Sequence, residues 1–84
     1  MPSVVAVRYL SGFKLWLRFS DGTEGEVDLA SELWGPVFEP LNDREYFARV
    51  AVNPDLRTIC WPNGADFAPE FLRSQVQEIP GSGL

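Results

Sequence analysis

The side chains able to do chemistry in this chain are carboxylates, one thiol and a few aromatic residues set beside positive charge. Histidine is absent from all 84 residues, so neither a Ser-His-Asp nor a Cys-His nucleophile can be assembled. A single cysteine without histidine also makes a zinc site unexpected. Cys60 lies between Ile59 and Trp61. To react as a thiolate it would need a neighbouring cation, for which Arg49 and Arg57 are the candidates; a packed, inert thiol is the simpler reading. Asp21 and Glu32 stand at the first and last positions of a twelve-residue stretch, as in a calcium loop. Its middle does not fit: Gly25 offers no side-chain ligand, and Glu26 falls where such a loop needs glycine. Twelve Asp and Glu residues supply chance pairs of the kind glycoside hydrolysis uses, but a chain this short is not expected to form the deep cleft around them. The seven glycines are spread over turns rather than gathered into a phosphate cradle. The expectation is a protein that is not an enzyme, with no catalytic residue, cofactor or metal.

What remains is recognition. The candidate interaction surface comprises Trp16, Arg18, Trp61, Asn63 and Asp66. Trp16 alternates onto the polar side of its strand with Lys14 and Arg18, so either a helix covers that face or Trp16 is an exposed anchor. "WPNGADFAPEFL", residues 61–72, is either a recognition loop or the joint between a strand and a helix. Asn63-Gly64 permits positive φ, and Asp66 is placed to accept backbone donors near the start of the helix. Trp61 is expected at the core or its edge, and Trp34 is expected to cap the core. The net charge is −5, and the seven basic residues are scattered. This argues against direct nucleic-acid binding by the isolated chain and against an anionic membrane surface. A protein partner or self-association is expected, and no small-molecule ligand.

The elements that position these residues follow from patterning. Residues 3–10 are β-branched and aromatic. In residues 13–19, Phe13, Leu15, Leu17 and Phe19 alternate with Lys14, Trp16 and Arg18. Residues 23–29 form a third strand. A two-residue Asp21-Gly22 turn would bury Glu24 and Glu26. A three-residue loop, Ser20-Asp21-Gly22 with Gly22 left-handed in a bulge, instead places Leu15 opposite Val27, Phe13 opposite Leu29, Lys14 opposite Asp28 and Arg18 opposite Glu24. A similar Leu10-Ser11-Gly12 loop would set Tyr9, Val7 and Val5 beside Phe13, Leu15 and Leu17, with Arg8 opposite Lys14. Residues 30–36 read as a helical turn stopped by Gly35-Pro36. Residues 42–48 read as a brief helix capped by Asn42 or Asp43, and Phe38, Leu41 and Phe47 anchor this irregular segment. Residues 49–53 and 57–61 form a second hairpin, with Val50 and Val52 on the face of Ile59 and Trp61. A final helix from about Pro69 to Glu78 carries Leu72, Val76 and Ile79 as its apolar stripe. The fold class is α+β: an N-terminal three-stranded antiparallel meander, short helical turns, a second β-hairpin and a C-terminal helix packed on the sheet. Residues 1–79 are expected to form one domain and residues 80–84 a flexible tail. No spanning helix and no leader-like run is visible, and a lone cysteine suits a reducing compartment, so a cytoplasmic location is expected.

"LRFSDGTEGEVDL" (17–29), "GPVFEPLNDREYFARVAV" (35–52) and "ICWPNGADFAPEFL" (59–72), taken together, resemble the short bacterial family catalogued as domain of unknown function 2442 (DUF2442). The resemblance covers roughly residues 4–73. It implies a compact α+β domain and carries over no catalytic residue. Some members are joined to a helix-turn-helix segment; stand-alone members often look like one half of a two-gene cassette, which implies a toxin–antitoxin-like pairing. This chain ends soon after its final helix, so the first expectation is a protein-interaction module, antitoxin-like within a small operon. The second is an accessory of transcriptional regulation acting with a DNA-binding partner. The third is a small enzyme using carboxylates.

Overall fold

The alternation of residues 13–19 sets the core. In the computed structural model, which describes residues 2–78, Leu15, Leu17 and Phe19 of β2 (Lys14–Phe19) are buried along one face. β3 (Glu24–Asp28) pairs with β2 antiparallel: Leu15 lies opposite Val27, Lys14 opposite Asp28 and Arg18 opposite Glu24. The connecting loop has the expected three residues. The Gly22 N–H donates to the Phe19 carbonyl (3.0 Å), the Phe19 N–H donates to the Thr23 carbonyl (2.8 Å), and Gly22 has φ +88°. That register keeps Glu26 in solvent and buries Gly25 and Val27. Leu29 also meets Phe13 as expected, its N–H donating to the Phe13 carbonyl at 2.9 Å.

The first turn differs from expectation. β1 (Val4–Ser11) sets Tyr9 opposite Leu15, Val7 opposite Leu17 and Arg8 opposite Trp16, two residues away from the expected register. Ser11 pairs with Lys14 around Gly12-Phe13, and the register slips once between Val4 and Ala6 and once between Tyr9 and Ser11. β1 therefore carries two bulges, with Val5 and Leu10 as the extra residues. Both are exposed (50% and 37%). A bulge breaks strict alternation, so Val4 and Val7, three residues apart, both face the core. Val5, expected inside, is pushed out. Arg8 consequently faces Trp16 and not Lys14.

The chain then crosses the core with little regular structure. Ala30–Glu32 and Glu39–Asn42 are short 3-10 turns. Asn42 ties them together, its Nδ2 donating to the carbonyls of Leu33 (2.9 Å) and Glu39 (3.1 Å). Asp43 is the cap of α1 (Arg44–Phe47), accepting from the Glu45 N–H at 3.0 Å. Leu41 and Phe47 are fully buried, and Phe38 packs partly against the same cluster. β4 (Ala51–Asn53) and β5 (Thr58–Cys60) form the second hairpin, with Val52 opposite Ile59. It is tied to β1 where the Val4 N–H donates to the Arg57 carbonyl (3.0 Å).

α2 (Pro69–Gln75) starts at Pro69 as expected but stops earlier than residue 78. Val76 is extended, and Gln77–Glu78 form a short strand, β6, paired antiparallel with β3. The sheet order is β1-β2-β3-β6. Open main-chain groups along β3 compete for this segment: pairing them satisfies both backbones, whereas another helical turn would leave the β3 edge bare. Leu72 and Val76 join the core. Arg73 anchors the helix to the β2–β3 turn, with Nη2 donating to Thr23 Oγ1 (2.9 Å), Nε 3.4 Å from Asp21 Oδ2, and the guanidinium over the Phe19 ring. The Asp21 carboxyl is held below its ordinary pKa, chiefly by the Thr23 N–H and further by Arg73. Ile79 and the expected tail, residues 80–84, lie outside the described residues. No helix among the described residues is long and apolar enough to cross a membrane.

Candidate functional site: an aromatic groove beside Trp34

The joint at residues 61–72 is built mainly from buried groups. Trp61 is 2% exposed, and its Nε1 donates to the Phe47 carbonyl at 2.8 Å. It belongs to the core, as expected of it, and leaves little side-chain surface for the interaction face it was also named for. The Trp61 carbonyl accepts from the Gly64 N–H (2.9 Å), and the Trp61 N–H donates to the Ala65 carbonyl (3.0 Å), closing a tight turn. Asn63 is exposed but committed: Oδ1 accepts from the Ala65 N–H (3.0 Å) and Nδ2 donates to the Val37 carbonyl (2.9 Å). It fastens the joint to the irregular segment. Thr58 Oγ1 donates to the Phe67 carbonyl at 2.6 Å, giving the one buried polar side chain of the described core its partner. Asp66 does not cap α2, whose start at Ala68 has no side-chain cap bond. Its backbone bridges to Cys60, and its side chain is exposed.

Gly64 has φ +88° with open space where a Cβ would sit. Substitution there meets backbone strain and no clash. Gly64→Ala is expected to lower stability by about 1–2 kcal/mol, measured by urea unfolding. A neutral result would show that the turn relaxes to another geometry.

Trp16 occupies the outer sheet face, opposite Arg8 of β1 and Glu26 of β3. It is partly buried. The guanidiniums of Arg8 and Arg18 lie over its ring, each 5.6 Å from the centroid. Arg18 Nε lies 3.3 Å from Glu24 Oε2, and Glu26 faces Trp16 from β3. Trp16 and Arg18 are thus brought together, but into a set of contacts satisfied within the chain. Cys60 is a free, partly buried thiol in β5. Among the described residues no three metal-ligating side chains gather.

Patterning did not find the surface that stands open. Trp34, expected to cap the core, is 74% exposed. It borders an open groove of about 280 Å³ lined by Phe38, Phe67, Phe71, Glu32 and Asp66. Phe38 stacks on Phe67 with centroids 4.8 Å apart, and Phe67 stacks on Phe71 at 5.8 Å. The groove floor is therefore a row of three aligned rings. Each comes from a different element: the irregular segment, the joint and α2. Val37, next to the Asn63 contact, is also exposed. The signal that pointed here was Trp34-Gly35-Pro36. Gly35 adopts φ +90°, so the chain turns sharply just after the tryptophan and leaves its side chain outside. Asp66 alone of the five expected surface residues lines this groove.

The sequence model of a family described as "Protein of unknown function (DUF2442)" matches residues 4–78. No curated protein and no solved structure matches the chain.

Proposed function

The chain belongs to the DUF2442 family, whose description assigns no function, and we propose that it is a non-enzymatic protein-interaction module. Trp34 carries this reading. A tryptophan 74% exposed at the border of an aromatic groove loses little by staying ordered and gains much apolar burial when a partner covers it, which is why such residues dominate binding energy at interfaces. The groove is shallow and open, suited to a protruding segment rather than to an enclosed substrate. In the cell the module acts as the antitoxin-like half of a two-gene cassette, and its partner is the product of the adjacent gene.

The test is co-expression of the tagged chain with that product, followed by affinity purification and size exclusion. Stoichiometric co-elution is expected. Elution of the chain as an inert, monodisperse monomer without the product would remove the reading.

A further inference from the structure

Trp16 and Trp34 present two versions of one arrangement. Around Trp16 the chain supplies an aromatic ring, carboxylates from β3 and two arginines that cover the ring. Around Trp34 it supplies four aromatic rings and two carboxylates, Glu32 and Asp66, and none of the described residues lining the groove is basic. Guanidinium groups lie over aromatic rings at two further places in this small domain, Arg49 over Tyr46 and Arg73 over Phe19. The Trp34 groove lacks the cationic member of that set.

We propose that this groove receives an arginine side chain from a basic segment of the partner protein. The inference rests on the interaction-module reading and names the chemistry of its partner. Charge selects the occupant. Two carboxylates on an otherwise aromatic surface repel an anionic or acidic segment, and the whole chain carries −5, which favours encounter with a basic one. Geometry favours arginine over lysine. A planar guanidinium stacks on the exposed Trp34 ring while its edge donates to a carboxylate, which a compact ammonium cannot do at once. The aliphatic stem of the arginine lies along the apolar floor.

The experiment titrates the isotope-labelled full chain with an acetylated Leu-Arg-Phe-Arg-Leu amide and follows the Trp34 indole and groove amides by NMR. Parallel titrations use peptides in which lysine or citrulline replaces arginine. Saturable shifts confined to the groove are expected, with affinity about fivefold weaker for W34A and for citrulline, and weaker again in E32Q/D66N and in high salt. Trp34 is a surface residue, so W34A keeps the native amide spectrum elsewhere. Absence of groove shifts, equal binding of citrulline, or shifts mapping to the Trp16 face overturns the proposal. The two readings separate cleanly. If the adjacent gene product co-elutes with the chain but the arginine peptide produces no groove shifts, the module reading stands and the arginine groove falls. If that product is never retained but the peptide binds as described, the groove stands and the cassette partner falls.

Discussion

Phe47→Ala is expected to lower the unfolding free energy by about 3–5 kcal/mol, the range for emptying a buried aromatic site. Phe47 is fully buried and sits where three elements converge. Its ring centroid lies 5.3 Å from Phe13, 5.5 Å from Trp61 and 6.1 Å from Tyr9. Truncation removes the hub of that cluster. The Trp61 indole keeps its acceptor, since the bond goes to the Phe47 main-chain carbonyl; the loss is therefore packing, not hydrogen bonding. The scale makes it severe. At roughly 0.05–0.15 kcal/mol per residue, 84 residues hold about 4–13 kcal/mol in all. Phe47→Ala thus takes a large share, and near the lower end leaves the chain mostly unfolded at physiological temperature. Phe47→Leu, which retains most of the volume, is expected to cost less than half as much. Urea unfolding followed by far-ultraviolet circular dichroism measures both; a loss under about 1 kcal/mol for Phe47→Ala would show that the cluster is not central to the core.

Leu72→Ala is expected to cost about 2–5 kcal/mol and to act unevenly. α2 has seven residues and no side-chain cap, far short of the length at which a helix holds itself in water. It exists because Leu72 and Val76 are buried and because Arg73 reaches Asp21 and Thr23. Without the Leu72 side chain, α2 and β6 open before the meander does. Hydrogen exchange should show this directly: the amides of Leu72 and Val76, bonded to the carbonyls of Ala68 and Leu72, exchange faster by a larger factor than those of β2. Uniform acceleration across the chain would show one cooperative unit. Because Phe71 lines the groove, the same substitution is expected to weaken the proposed binding of the arginine peptide even where the sheet persists.

These expectations also mark which parts of the fold could be read from the residues. The β2–β3 register was legible because three constraints agreed: side-chain alternation, the charge pairs Lys14–Asp28 and Arg18–Glu24, and a glycine placed for the bulged turn. The β1 register was not, because two bulges each moved the pairing and no residue type announces an extra residue in an edge strand. The end of α2 was misplaced for a different reason. Residues 76–78 fit a helical stripe by local pattern, and a distant strand edge decided their conformation. Within the candidate site, Asp66 was named for the interaction surface and as an acceptor at the start of the last helix; it lines the groove, and the capping bond is not made. Trp34 and Phe38 were assigned only to packing, since residues 30–42 have no period from which a face can be deduced, and a tryptophan reads as core until the turn at Gly35 is seen to carry it outward. Trp16 was singled out correctly as unusual, but alternation cannot show that arginines from two strands lie over it.

The interruptions at Val5 and Leu10 bear on how this chain behaves among its own copies. β1 is a terminal strand of its sheet, and a long, flat, apolar margin there would template the stacking of further chains into cross-β fibres. The kinked margin offers no such continuous row of donors and acceptors. Pairing of a second copy along that margin would have to accommodate both kinks.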